Sequence, residues 1–203
     1  GLLEKLKILD AGGCLELKSF PPLKFTSLEQ FELSGCRSLE SFPKILGTME
    51  NITILELGEC RIKKFPPSFR NLTELEFLSL DLSSIQLSGS DAATFVLNIC
   101  MLPQEVWVEV FPYPKDFSNS DLSDELLPRF LSCFYRVKNL DLSWNKFTVI
   151  PECIKECDFL TTLNLNYCHL LQEIRGIPPK LKYFSALGCP NLTSSSISML
   201  LNQ

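Results

Sequence analysis

Apolar and polar residues alternate along this chain in a recurring nine-residue pattern. Each copy reads apolar-x-x-apolar-x-apolar-x-x and ends in Cys, Asn or Ser. The central apolar positions alternate with polar ones, as in a short strand with one buried face. We therefore predict one strand per copy, with Leu55 and Leu57 facing inward and Glu56 facing solvent in the third. Seven segments match the pattern: 6–14, 28–36, 52–60, 75–83, 137–145, 160–168 and 181–189.

The copies follow one another at a nearly constant spacing. Cys14, Cys36 and Cys60 end the first three copies and are 22 and 24 residues apart. A motif of this form with a period of about 20–29 residues resembles the leucine-rich repeat, in which stacked neighbours bury a shared core. We expect one α/β solenoid over residues 1–203, as a fragment of a longer protein. Its parallel sheet forms the concave face of a horseshoe, and short helices, 3₁₀ turns and loops form the convex face.

The ninth position of each copy predicts a structural ladder. A small polar side chain at the end of a strand is suited to bonding backbone groups that the turn leaves unpaired. The residues at this position are Cys14, Cys36, Cys60, Ser83, Asn145, Cys168 and Cys189. The odd total of nine cysteines argues against a closed disulfide framework, and the regular spacing of those that end the copies indicates one cysteine per repeat.

Proline marks the convex side of the repeats. An apolar-Pro pair recurs a few residues after five of the seven copies, and Pro favours the first position of a helix. We predict a helix over 151–157, short helical or 3₁₀ turns after Pro43 and Pro66, and a terminal helix with Ser194 or Ser195 as its N-cap.

The repeat pattern is lost over residues 84–136. The alternation of Val106, Val108 and Val110 predicts a strand around 105–111, and the acidic residues after Ser123 predict an outer helix near 124–134. We interpret this region as one or two degenerate repeats.

The exposed strand positions predict a partner-binding concave face. The N-terminal copies place mostly acidic residues there, which favours a basic protein partner. Trp144 and Tyr167 occupy equivalent positions in neighbouring repeats and are predicted to lie side by side, in an arrangement typical of interface hot spots. The candidate residues are Asp10, Glu32, Ile54, Glu56, Glu59, Phe77, Asp141, Trp144, Asn164 and Tyr167.

Charge and composition narrow the function classes. The net charge of −5 argues against nucleic acid as a partner, and no apolar run reaches the roughly 20 residues of a membrane span. The chain has a single histidine, His169, which argues against most acid–base and metal sites that depend on histidine. A zinc site built on Cys153 and Cys157 would lack its other two ligands. We find no phosphate-binding loop, catalytic constellation or cofactor motif, and predict a protein that is not an enzyme.

The chain resembles a family of plant immune receptors. The LxxLxLxxC strands, the FP turns and the segment from 121 to 203 are similar to the leucine-rich repeats of TIR–nucleotide-binding–LRR disease resistance proteins, in particular those of legumes. The resemblance implies a cytoplasmic protein, with the nucleus as a second location. It also implies that the repeats recognise pathogen effectors or modified host proteins and restrain the nucleotide-binding and TIR domains of the same receptor.

Two other binding functions remain open from the residues alone. A generic leucine-rich-repeat adaptor, such as the substrate-recognition part of a ubiquitin ligase, has similar binding geometry. An extracellular receptor would use the sequons at Asn51, Asn71 and Asn191 for glycosylation.

Overall fold

The computed structural model describes residues 4–81, 106–111, 124–132, 134 and 136–201. Eight strands form one parallel sheet in the spatial order β1-β2-β3-β4-β5-β6-β8-β10. Two more, β7 and β9, pair on their own. The strands are β1 Ile8–Asp10, β2 Gln30–Glu32, β3 Ile54–Leu57, β4 Phe77–Asp81, β5 Trp107–Phe111, β6 Asn139–Asp141, β7 Val149–Ile150, β8 Thr162–Asn164, β9 Glu173–Ile174 and β10 Tyr183–Ser185. The predicted parallel-sheet solenoid is confirmed.

The strands are stacked in register, so equivalent residues of successive repeats form columns across the sheet. Leu9 faces Phe31, Phe31 faces Leu55, and Leu55 faces Leu78. This inward column is almost wholly buried from β2 to β8, because alternation along each strand turns one side chain inward and the next outward. The outward positions on either side of it form the candidate surface.

Phenylalanine fills the space between the sheet and the outer segments of the N-terminal repeats. The rings of Phe31 and Phe20 meet edge to face at 5.3 Å, and Phe42 meets Phe69 in the same way at 5.1 Å. Such contacts stabilise each pair by about 0.5–1.5 kcal/mol beyond area burial. They connect consecutive repeats and hold the strands at a fixed spacing.

The outer helices are shorter than the sequence predicts. The helix expected over 151–157 is a 3₁₀ helix over Glu152–Glu156, and a second 3₁₀ helix, Pro67–Asn71, follows Pro66. No helix follows Pro43; instead Ile45 bridges to Leu23 of the preceding repeat. A repeat of about 24 residues leaves room for little more than one turn between strands.

Two short α-helices complete the described structure, α1 (Leu127–Leu131) and α2 (Ser194–Leu201). The outer helix predicted near 124–134 is α1, reduced to five residues. The terminal helix begins at Ser194, so Thr193, not Ser194 or Ser195, precedes its first turn. The Thr193 hydroxyl lies 3.1 Å from that of Ser195 and 3.0 Å from that of Ser196.

The described part of the irregular region contributes one strand to the sheet. β5 lies between β4 and β6, with Val108 facing Leu78 and Leu140. It falls within the strand predicted around 105–111. Ser83 and the rest of the region up to Asp124 lie outside the described residues, apart from β5 and Val106 before it.

Candidate protein-interaction surface

The turns after the strands carry a row of side chains that bond the preceding repeat. The Sγ atoms of four cysteines donate to backbone carbonyls 24–27 residues earlier, at 3.0–3.2 Å: Cys36 to Ala11, Cys60 to Leu33, Cys168 to Leu142 and Cys189 to Leu165. Burial raises the pKa of the Cys168 thiol to about 12, which keeps it protonated as a donor. Cys14, at the equivalent place in the first repeat, is exposed.

Asn145 is the amide member of this row and makes more bonds than the thiols. Its Nδ2 donates to the carbonyls of Val110, Leu142 and Ser143 at 3.0–3.2 Å. The residue is 1% exposed. The row therefore fixes the inward turn of each repeat and, with it, the direction of the strand that precedes it.

Five carboxylates lie on the solvent face of the sheet in one column, here called the acidic column. Its members, from β1, β2, β3, β5 and β6, are Asp10, Glu32, Glu56, Glu109 and Asp141. Only Ser79, on β4, interrupts it. Ser79 is 2% exposed, and its Oγ accepts the amides of Leu57 and Gly58, both at 3.1 Å.

Neighbouring carboxylates in the acidic column disfavour one another's charge. Partial burial raises the pKa of Glu56 to about 7, and a hydrogen bond with the Glu32 carboxyl and its negative charge add to the effect. Burial and the charge of Asp141 raise the pKa of Glu109. Among the described residues, none of the five carboxylates makes an ion pair. Within the described structure the column is thus a negative stripe that no cation pairs with, although Asp10, Glu32 and Asp141 accept hydrogen bonds from neighbouring amides.

Glu59 does not belong to this column. It follows β3 in a left-handed turn with φ 59°, and its carboxylate lies 3.6 Å from the Arg37 guanidinium. Glu29 is likewise paired, with Lys7 at 2.7 Å. The excess of negative charge on this face is thus concentrated on the strand-centre column.

An apolar column runs beside the acidic one. Ile8 faces Gln30, Gln30 faces Ile54, Ile54 faces Phe77, and Phe77 faces Trp107. Ile8 is 57% exposed, whereas Ile54, Phe77 and Trp107 are half-buried. Ile54 and Phe77 thus lie where the alternation places them, next to the acidic column.

The C-terminal strands replace repelling carboxylates by mutual hydrogen bonds. Asp141, 8% exposed, accepts the Ser143 amide at 2.9 Å and the Asn164 Nδ2 at 2.7 Å. The Ser185 hydroxyl donates to the Asn166 Oδ1 at 2.6 Å. These polar side chains satisfy one another, whereas the Oδ1 of Asn145, in the turn after β6, is buried without a hydrogen-bond partner among the described residues.

Trp144 and Tyr167 form a stacked pair, here called the aromatic platform. Both follow their strands in left-handed turns, with φ 65° and 59°. Their ring centroids are 4.4 Å apart and their planes 22° from parallel, and Trp144 is 55% and Tyr167 42% exposed. His169 meets the Trp144 ring nearly perpendicularly at 6.0 Å.

The aromatic platform occupies a position where other repeats have glycine. Gly13, Gly35 and Gly188 take the same left-handed conformation just before their ladder cysteines. A side chain there costs about 1–2 kcal/mol, because Cβ crowds the following carbonyl. Tyr167 also needs Gly188 beside it, since a Cβ on Gly188 would lie 2.7 Å from the tyrosine ring.

Sequence reasoning missed Glu109 and Trp107 on this surface, because both lie where the repeat pattern is lost. It also left the sequon asparagines without a role. The Nδ2 atoms of Asn51, Asn71 and Asn191 donate to the carbonyls of Thr26, Gly47 and His169, at 2.6–2.8 Å. These partners lie 22–25 residues earlier, so the three amides tie consecutive repeats together in addition to the cysteines.

Across the described residues, we find no group of three or more His, Cys, Asp or Glu placed to hold a metal ion. Nor does any helix within that part of the chain combine the length and apolar character needed to cross a membrane.

Comparison with known proteins identifies related repeats. Residues 109–200 match the model of the leucine-rich repeats of RPS4B-like disease resistance proteins. The chain is 30% identical to disease resistance protein RPS4B of Arabidopsis thaliana over 201 residues, which covers 93% of this chain and 16% of that protein. It is 27% identical to disease resistance-like protein DSC1 of the same plant over 148 residues, 66% of this chain and 12% of that protein.

The chain thus spans less than a fifth of the length of either relative. Among solved structures, a TLR13–ssRNA13 complex aligns with a TM-score of 0.48 at 18% identity, over 83% of this chain and 24% of that one.

Proposed function

We propose that this chain, a leucine-rich-repeat region of the plant TIR–nucleotide-binding–LRR disease resistance type, is the interaction and regulatory surface of an intracellular immune receptor. In this proposal the concave face binds protein partners and carries out no catalysis. One partner is the nucleotide-binding module of the same receptor, which the repeats restrain at rest. The other is a pathogen effector or a modified host protein, whose binding releases that restraint in the cytoplasm or the nucleus.

The acidic column is the observation that carries this proposal. Five carboxylates on five of the six strands from β1 to β6 make no ion pair in the described structure, and all but Asp141 are at least partly exposed. Partial burial, a hydrogen bond with the Glu32 carboxyl and the neighbouring negative charges raise the pKa of Glu56 to about 7. The fold uses part of this arrangement, since the Asp10 and Glu32 carboxylates accept the amides of Gly12 and Ser34 at 2.8 and 2.6 Å. Like charges in neighbouring strands are nevertheless destabilising, and the fold does not require them at every strand. A basic surface on a partner would relieve the repulsion and would be steered to the column from a distance.

The test is association in trans. The chain is co-expressed with the nucleotide-binding module of its own full-length gene product, and co-purification is measured. The test variant carries Glu32→Lys and Glu56→Lys in the acidic column. The matched control carries Glu16→Lys and Glu50→Lys, which change the net charge equally at exposed positions away from the column.

We expect the wild-type chain and the control to retain the module, and the column variant to lose at least tenfold in recovered complex. Equal losses in both variants would show a response to net charge alone and count against the column. If the wild-type chain does not retain the module at all, the restraint proposal fails, and a recognition-only or adaptor role takes its place.

A further inference from the structure

The aromatic platform is an exposed feature that the fold itself does not require. The same turn is closed by glycine in three other repeats, so neither the turn nor the ladder bond that follows depends on a ring. Trp144 and Tyr167 nevertheless hold their rings parallel at 4.4 Å on left-handed backbone and leave about half of each residue exposed. Each ring covers one face of the other, so a ligand can stack only on an outer face of the pair.

The charges beside the platform define the ligand it suits. Asp141 lies three residues before Trp144, which places their Cα atoms within about 11 Å of each other. Its carboxylate is buried and already accepts two amide hydrogen bonds, so it acts on a ligand through its charge and not by direct contact. Glu109, on the adjacent strand, faces Asp141 and continues the acidic column away from the platform. A flat aromatic surface at one end of a negative stripe complements a group that is both planar and positively charged.

We propose that the aromatic platform binds an arginine side chain of the partner protein, whose remaining basic residues lie along the acidic column. The guanidinium is planar, stacks on indole and phenol rings through cation–π attraction, and pairs with carboxylates through its N–H groups. Lysine offers only a point charge and stacks less well. An acidic or purely apolar segment would leave the column uncompensated, so neither fits this surface.

This inference rests on the proposed function, since it names the chemistry of the partner on the same face. The interaction is probed with a capped peptide that alternates arginine with glycine, titrated calorimetrically into the full chain at low salt. Two further peptides carry lysine or citrulline in place of arginine. Citrulline keeps the planar shape but removes the charge.

We expect the arginine peptide to bind, the lysine peptide to bind at least threefold more weakly, and the citrulline peptide not to bind. Trp144→Gly and Tyr167→Gly should each lower the affinity for the arginine peptide about tenfold, as expected for the loss of one partly desolvated cation–π contact. Trp144→Phe keeps a π face, so its affinity for the peptide should stay within about threefold of the wild-type value. Tyr183→Ala is the matched control, because Tyr183 is 69% exposed but has no ring contact among the described residues.

Circular dichroism of each variant establishes that it is folded. Equal binding of the arginine and citrulline peptides would overturn the inference without any variant, as would full binding by a folded Trp144→Gly protein. If the acidic-column variant loses the nucleotide-binding module while both glycine variants keep it, the proposed function stands and this inference falls. If the chain binds the arginine peptide specifically but does not retain the nucleotide-binding module, this inference stands and the restraint proposal fails.

Discussion

The N-terminal and C-terminal parts of the sheet use the same outward position in opposite ways. In β1 to β3, Asp10, Glu32 and Glu56 follow one another, and partial burial, a hydrogen bond with Glu32 and the neighbouring charges raise the pKa of Glu56 to about 7. In β6 and β8, Asp141 and Asn164 face each other and share a hydrogen bond of 2.7 Å. The backbone register is the same in both parts, so the difference lies in side-chain chemistry alone.

The turns after the strands divide less cleanly. Gly13, Gly35 and Gly188 adopt the left-handed conformation without cost, whereas Glu59 in the N-terminal part and Trp144 and Tyr167 in the C-terminal part carry side chains there. The N-terminal part therefore departs from the most stable choice in its strands and at one turn, and the C-terminal part departs from it at two turns. We interpret the acidic column and the stacked rings as requirements of binding rather than of folding.

The largest expected effect on stability comes from Asp141→Ala. It leaves the Ser143 amide and the Asn164 Nδ2 without their acceptor in a site that is 8% exposed. We expect a loss of about 2–3 kcal/mol in the free energy of unfolding. Chemical denaturation measures it, with Glu56→Gln as the comparison in the N-terminal part. The Glu56→Gln variant should be neutral or stabilising at pH 8. Equal losses of stability in the two variants would show that carboxylates in the N-terminal and C-terminal parts of the sheet contribute alike to folding.

A smaller effect is expected from exchanging the turn residues between the two parts. Gly35→Trp introduces a side chain at φ 78° and should cost about 1–2 kcal/mol. Trp144→Gly removes strain at φ 65° but also loses the ring stack, so its net change should stay within about 1 kcal/mol. Thermal unfolding of both variants measures these changes in stability. A loss of several kcal/mol in Trp144→Gly would show that the Trp144 ring is required for folding.

The smallest expected effect is a pH dependence of stability that depends on Glu56. Its pKa is raised from 4.5 to about 7 on folding, so between these values the folded state holds the proton more tightly than the unfolded state. Stability should therefore fall as pH rises from about 4.5 to 7, by less than about 1 kcal/mol because solvent screens a partly exposed carboxyl. Unfolding curves of the wild type and Glu56→Gln across this range test it. A wild-type protein that gains stability relative to the variant would contradict the assigned direction.

Much of the fold follows from the spacing of apolar residues. The nine-residue motif places the strands because every repeat must bury the same two positions, as Leu55 and Leu57 do in β3. The motif does not determine the outer segments, where a few residues form either a 3₁₀ turn, as at Pro67–Asn71, or no helix, as after Pro43. Those choices depend on how much space the neighbouring repeats leave.

The candidate surface is only partly predictable from the sequence. Alternation in the segment VWVEV points Glu109 outward, but only the register of β5 between β4 and β6 places it in line with Asp141. The left-handed turns are hard to foresee for Trp and Tyr, which disfavour positive φ. The signal is the glycine that precedes the ladder cysteine in three other repeats, at 13, 35 and 188.

The ladder of thiols also has a mechanical consequence. Each thiol bond joins a turn to the repeat before it, and the bonds at Cys36, Cys60, Cys168 and Cys189 are single and made by a weak donor. Asn145 also makes one bond to the preceding repeat, at Val110, and two more within its own turn, at Leu142 and Ser143. With one side-chain bond of this row at each of these steps, the row should offer little resistance to bending of the solenoid. The acidic N-terminal strands and Tyr167 lie far apart along the row, so a partner that contacts both can bend the sheet between them at low cost.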